Sequence, residues 1–146
     1  MKWKSLTIDG TGESIVVPAN EGVGVAISTP TAAGAIGGSD SGKTIYLNAA
    51  AGFELTLPDL FAGLKYKIIV GAAFATTDFT IVAATDVIQG GAIVNSVFVP
   101  AANENTISFV ATAETVGDYV EIECDGTNWI VSGVGAGAGS VTFTAP

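Results

Sequence analysis

Histidine and arginine are both absent from this 146-residue sequence, and its only basic side chains belong to five lysines. Fourteen acidic residues outnumber them and give a formal net charge of −9 at pH 7. A chain this acidic repels the phosphate backbone of nucleic acids, and it lacks the basic cluster that binds anionic membranes. We therefore expect neither nucleic acid nor a membrane as a partner.

Cysteine and long apolar runs are equally scarce. The single cysteine, Cys124, cannot form a disulfide within the chain, so stability must come from packing and assembly. No run approaches the ~18 apolar residues that a membrane span needs. Residues 1–7 lack the apolar stretch of a signal peptide. We expect a soluble chain that is made in the cytoplasm.

Charged residues are few as well, at 13% of the chain, whereas hydrophobic residues make up 49%. Mean hydropathy is +0.54, which is high for a protein whose whole surface meets water. In a β-protein rich in glycine and alanine, small residues such as alanine raise this value without creating an apolar patch. Alternatively, other subunits cover part of the surface. We favour the second interpretation because low charge and high apolarity both point to it.

Short runs typical of β-strands recur about every ten residues, separated by Gly, Asn, Asp and Pro, and helical periodicity is absent. The candidate strands are 14–17, 23–27, 44–48, 53–57, 64–71, 79–83, 93–99, 106–111, 118–124, 128–133 and 140–144. We expect the glycine-rich segment 133–139 to be a flexible spacer before the last strand. The pattern predicts an all-β fold, an antiparallel β-sandwich or jelly-roll-like barrel over 21–146. Residues 1–20 form an N-terminal arm or the first strands.

The clearest hairpin spans residues 118–131, where one strand has an apolar and a polar face. The polar face carries Tyr119, Glu121, Glu123 and Asp125. A row of carboxylates can be solvated, contact a basic partner, hold Ca²⁺ or supply the acid pair of a glycosidase. We favour a solvated face or a partner contact, and expect neither a metal nor catalysis.

Residues 37–44 match the phosphate-binding pattern G-x-x-x-x-G-K-[ST]. That motif requires a following helix, whereas a candidate strand follows here, and Asp40 lies inside the loop. We interpret the segment as a turn that enters a strand. No histidine is present to activate Cys124, which we expect to point inward. We therefore expect no enzyme activity and no cofactor.

The two tryptophans have different settings. Trp129 begins the return strand of the hairpin, where we expect it to pack in the core or at a subunit interface, with glycan stacking as the alternative. Trp3 lies between Lys2 and Lys4. That segment is either the first strand of the domain or an arm that anchors the chain on another protein.

Three segments resemble virion proteins of tailed bacteriophages. Residues 62–70, 77–83 and 117–133 read AGLKYKIIV, TDFTIVA and GDYVEIECDGTNWIVSG. They are most similar to small head proteins of marine phages, the capsid decoration (cement) and head-fibre proteins. The resemblance covers 42–146, and its Asp-Gly-Thr-Asn-Trp ending also occurs in phage tail fibres.

The resemblance implies a homotrimeric decoration protein on the outer surface of a phage head, which binds the major capsid protein and clamps neighbouring capsomers. Candidate capsid contacts are Lys2, Trp3, Lys4, Leu6 and Ile8. Candidate contacts with a second subunit or partner are Trp129, Tyr119, Glu121, Glu123 and Phe143. The alternative function is a head- or tail-fibre module that binds a host glycan or receptor.

Overall fold

The computed structural model describes residues 27–145 and, before them, two strands, β1 (Trp3–Thr7) and β2 (Ser14–Pro18). These two strands pair antiparallel as a separate two-stranded sheet. Among the proposed capsid contacts, Lys2 and Ile8 lie outside the described residues. The other three, Trp3, Lys4 and Leu6, lie in β1.

Almost all regular structure in residues 27–145 is β-strand. The strands are β3 (Ile27–Ser28), β4 (Gly34–Ala35), β5 (Thr44–Leu47), β6 (Glu54–Thr56), β7 (Lys65–Val70), β8 (Phe79–Val82), β9 (Ile88–Val94), β10 (Val97–Glu104), β11 (Thr106–Phe109), β12 (Tyr119–Cys124), β13 (Trp129–Gly135) and β14 (Val141–Thr144). One 3-10 turn, Gly38–Asp40, is the only helical element of this part of the chain. Within the described ranges, no helix has the length and apolarity to cross a membrane. The predicted all-β class is confirmed.

Two mixed sheets contain these strands. The larger sheet has the order β10-β9-β13-β12-β7-β5-β3, and the smaller sheet has the order β14-β11-β8-β6-β4. The prediction of purely antiparallel pairing was wrong. In the larger sheet β3, β5 and β7 pair parallel, as do β9 and β13, and in the smaller sheet β4, β6 and β8 pair parallel.

The parallel pairs arise from the way the first half of the chain winds. From β3 to β8, successive strands alternate between the larger and the smaller sheet. Each return to a sheet therefore brings in a strand that runs in the same direction as the previous one. The connections in such a winding are short. The direction of pairing cannot be predicted from the alternation of residues within a strand, because it is set by tertiary contacts.

One cluster of buried hydrophobic side chains joins the two sheets. Its largest members include Trp129 and Tyr66 from the larger sheet and Phe79 from the smaller sheet, each at most 1% exposed. The rings of Trp129 and Tyr66 lie 5.9 Å apart, and the Tyr66 hydroxyl donates a hydrogen bond to the carbonyl of Gly37 at 3.0 Å. Cys124 is 2% exposed, so the prediction that it points inward is confirmed.

Candidate interaction surface

Alternation along the strands of the larger sheet turns one set of side chains into the core and the other set away from it. In β12, for example, Val120 and Ile122 are buried, whereas Glu121 is half-buried and Glu123 is exposed. We call the side turned away from the core the outer face. Its side chains are Ile27, Thr44, Tyr46, Lys65, Lys67, Ile69, Gln89, Ile93, Phe98, Pro100, Ala102, Tyr119, Glu121, Glu123, Ile130, Ser132 and Val134.

Uncharged and mostly apolar side chains cross the outer face at one end. This apolar row consists of Phe98, Ile93, Val134, Tyr119, Ile69 and Tyr46, each the register partner of the next across six neighbouring strands. Phe98 is 58% exposed, and Ile93 and Val134 are 44% and 42% exposed. Because contiguous exposed apolar side chains usually mark an interaction site, the apolar row is the candidate functional surface.

The hairpin β9–β10 places Phe98 on this face. Asn95 and Ser96, with φ of 47° and 66°, form its tight turn. Gly91 has φ of 150°, and a Cβ added there would lie 2.7 Å from Cζ of the Phe98 ring and would overlap the carbonyl oxygen of Val99. The ring therefore lies across β9 in the space that the missing side chain leaves, an arrangement known to compensate glycine in a strand.

Two cross-strand ion pairs lie beside the apolar row. Lys67 Nζ is 3.1 Å from Glu121, and Lys65 Nζ is 3.9 Å from Glu123, each pair joining register partners on β7 and β12. Lys67 Nζ also lies 4.7 Å above the centre of the Tyr119 ring. Exposed pairs of this kind contribute about 0.2–1 kcal/mol each. Their larger effect is that these four charges sum to zero.

Charge is distributed unevenly around the molecule. All three lysines within residues 27–145 are paired, the third being Lys43, whose Nζ is 2.7 Å from Asp40. Three of the eleven carboxylates in this range therefore have a lysine partner, which leaves eight. These eight lie in loops, at strand ends or on the smaller sheet: Glu54, Asp59, Asp78, Asp86, Glu104, Glu114, Asp118 and Asp125. The side chains of the outer face thus carry no net charge, and Asp125 is the unpaired carboxylate at its border.

The proposed partner residues do not all lie on one surface. Tyr119, Glu121 and Glu123 are together on the outer face. Trp129 is 1% exposed, so its ring packs in the chain's own core and offers no surface to a subunit or a glycan. Phe143, in the edge strand β14, is half-buried and packs against the core cluster. The two glutamates and the tyrosine remain candidates for a contact.

The carboxylate row of β12 is already engaged within the chain. Glu121 and Glu123 pair with lysines, and Asp125 accepts hydrogen bonds of 2.7 Å from the backbone N–H groups of Thr127 and Asn128. The N–H groups of Asn128 and Thr127 lower the pKa of the Asp125 carboxyl. A shallow depression of about 280 Å³ beside them is lined by both glutamates and Asp125, among others. Within the described residues, no group of three metal-ligating side chains forms.

The segment that matches the phosphate-loop pattern is a turn followed by a strand, β5, as predicted. Asp40 accepts a hydrogen bond from the backbone N–H of Gly37 at 3.0 Å and one from Lys43 at 2.7 Å. Lys43 and then the Gly37 N–H hold the pKa of Asp40 below its usual value. The carboxylate occupies the Gly37 N–H and the lysine, and the N–H groups of residues 40–43 donate to backbone carbonyls, so these donors are not free to cradle a phosphate.

Sequence reasoning missed most of the apolar row. It named Tyr119 but not Ile93, Phe98, Val134, Ile69 or Tyr46. Ile93 and Phe98 were missed because 93–99 was taken as one strand, although it contains the turn between β9 and β10. The dipeptide Asn95-Ser96 was the available signal, since residues that tolerate positive φ mark hairpin turns.

Comparison with known proteins does not assign this chain to a family. No family model, curated protein or solved structure matches this chain.

Proposed function

We propose that this chain is a structural protein of a phage virion, a decoration protein on the outer surface of the head that clamps neighbouring capsomers as a homotrimer. The observation that carries the proposal is the outer face, where a row of mostly apolar side chains, three of them exposed, lies beside two ion pairs that cancel in charge. The resemblance of residues 62–70, 77–83 and 117–133 to such proteins supports it. No reactive side chain is required, because the function is mechanical.

The physical properties of the chain suit this function. Apolar and aromatic side chains at the centre of a contact supply most of the binding energy, and charged side chains are depleted there. The remaining acidic surface would keep decorated particles apart through like-charge repulsion. A trimer would bind through three equivalent contacts, so that modest contacts would combine into firm attachment.

The proposed function includes a fold type, an N-terminal arm and a location. We assign the two sheets to a β-sandwich and the N-terminal segment to an arm, whose contacts with the major capsid protein come from Lys2, Trp3, Lys4, Leu6 and Ile8. A tryptophan flanked by lysines is suited to an acidic or amphipathic partner surface. The protein would be made in the host cytoplasm and located on the outer capsid surface.

Particle binding tests the proposal. Purified chain is mixed with phage heads produced from the genome that encodes it but lacking this gene, and bound protein is measured after sedimentation. We expect saturable binding, and heads carrying the protein should release DNA at a higher temperature than bare heads. Absence of binding to such heads would overturn the decoration function.

The arm has its own test in the same assay. Deletion of residues 1–9 should abolish capsid binding, whereas substitution of the exposed loop residue Phe61, 72% exposed and far from the arm in sequence, should leave it intact. Unchanged occupancy of the deletion variant would remove the arm from the account. The glycan-binding alternative had assigned stacking to Trp129, and the burial of that ring removes its support.

A further inference from the structure

We infer that the apolar row is the contact through which copies of this chain associate with one another. The inference rests on the proposed function, in which several copies assemble, and it names the surface that holds them together. The row extends from Phe98 on the edge strand β10 to Tyr46 on β5. It carries no charged side chain, and its exposed end lies at the edge of the sheet.

Charge identifies the occupant as a second copy. The whole chain carries −9, so two copies repel one another wherever their unpaired carboxylates approach. Within residues 27–145, every lysine is neutralised by a carboxylate on or beside the outer face, and of the eight other acidic residues Asp125, at the end of β12, borders that face. The outer face is therefore a surface at which two such chains can meet with little repulsion. A basic partner would instead be attracted to the acidic surface outside it.

The face alone supplies only part of the area that a specific contact uses. Six strands about 4.8 Å apart span about 24 Å, and five residues along each strand span about 17 Å, a projection of about 400 Å². A stable interface uses about 800 Å² from each partner. Val97, next to Phe98 at the start of edge strand β10, is 62% exposed and extends the apolar area beyond the face. We therefore expect the contact to include this strand edge.

A matched pair of phenylalanine variants tests the inference. Phe98 is 58% exposed in the row, and Phe61 is 72% exposed in the loop before β7. Phe98→Glu buries an unpaired charge in the contact and should raise the dissociation constant about 30-fold or more. Phe61→Glu makes the same change elsewhere and should leave the dissociation constant within about twofold of the unmodified chain. The molar mass is measured by light scattering over a dilution series.

A second variant separates association from folding. Because Phe98 packs over Gly91, its replacement also perturbs the sheet, whereas Val134 projects from the middle of the row. Val134→Glu should weaken association like Phe98→Glu while the urea midpoint stays near that of the unmodified chain. Raising the salt concentration from about 0.05 M to about 0.5 M should strengthen association, because it screens repulsion between two acidic chains.

Each outcome bears on the inference. A monomer of the full chain at millimolar concentration, or association that Phe98→Glu and Val134→Glu leave unchanged, overturns it. Weakening by salt would identify a charge-driven contact and also overturn it. Association through the row combined with failure to bind heads supports the inference and contradicts the proposed function. Head binding by a chain that is monomeric in solution supports the proposed function and contradicts the inference.

Discussion

Replacing Asp118 tests how the loops at one end of the sheets are held. The side chain is 3% exposed, and its two oxygens accept hydrogen bonds from the backbone N–H groups of Thr115 at 2.9 Å and Ala136 at 2.8 Å. One carboxylate thus fastens the loop before β12 to the end of β13. Asp118→Ala removes both acceptors and leaves two partly buried N–H groups without them.

The expected loss follows from those two bonds. A hydrogen bond to a charged group contributes about 1.5–3 kcal/mol, and water that enters the space recovers part of it, so we expect Asp118→Ala to lower the free energy of unfolding by about 2–4 kcal/mol. Asp118→Asn keeps one acceptor and should lose about half as much. Urea unfolding at neutral pH measures the change, with Asp86→Ala as the matched control. Asp86 is exposed in the loop before β9, and its replacement should change stability by less than about 0.5 kcal/mol. Equal effects of the two alanine variants would refute the reasoning.

Three other predictions concern the outer face, a backbone position beneath it and the acid stability of the chain. Gly91→Ala should lower the free energy of unfolding, measured in urea, by about 1–3 kcal/mol, because Gly91 has φ of 150° and an added Cβ would overlap neighbouring atoms. Gly34→Ala is the control and should be nearly neutral, because the space around Gly34 is open. A tolerated Gly91→Ala would contradict the described β9–β10 geometry. A double-mutant cycle on Lys67 and Glu121 should give a coupling of about 0.2–1 kcal/mol that falls at high salt, and a salt-independent coupling would exclude a simple ion pair. The folded-state pKa of Asp40 is below the unfolded value of 3.8, so the stabilisation from this carboxylate is present above that value and is lost as pH falls through the folded pKa. Asp40→Asn should therefore reduce the fall of unfolding free energy at acid pH, measured by urea titrations. An unchanged fall would count against the assigned hydrogen bonds.

Local patterns predicted much of the fold. The hairpin at 118–131 is confirmed by the pairing of β12 with β13, in which Cys124 lies opposite Trp129. Period-two alternation and a turn of Asp, Gly, Thr and Asn carry that information within a few residues. The buried position of Cys124 followed from the same alternation.

Features that depend on distant contacts could not be predicted in this way. Parallel pairing of β5 with β7 depends on how the chain winds between two sheets. The residues of either strand do not indicate whether the neighbouring strand runs parallel or antiparallel. The glycine-rich spacer also differed from its prediction. β13 extends to Gly135, and Asp118, eighteen positions before Ala136, binds the N–H group of that alanine.

Identifying the candidate surface required both local alternation and the long-range register of the strands. Alternation alone placed Tyr119, Glu121 and Glu123 on one face of β12, as the structure describes. The apolar row emerged only when register joined six strands, because each strand contributes a single residue to it. The pairing of both glutamates with lysines of β7 likewise required the register between two strands that are far apart in the sequence.

The most direct test of this account is hydroxyl-radical footprinting of the full-length protein, in its assembled form and after dilution to the monomer. We expect Phe98 and Tyr119 to be protected from labelling on assembly and Phe61 to be labelled equally in both states. Equal labelling of Phe98 in the two states, or protection that appears only at Phe61, would show that the copies meet elsewhere and would contradict the role assigned to the outer face.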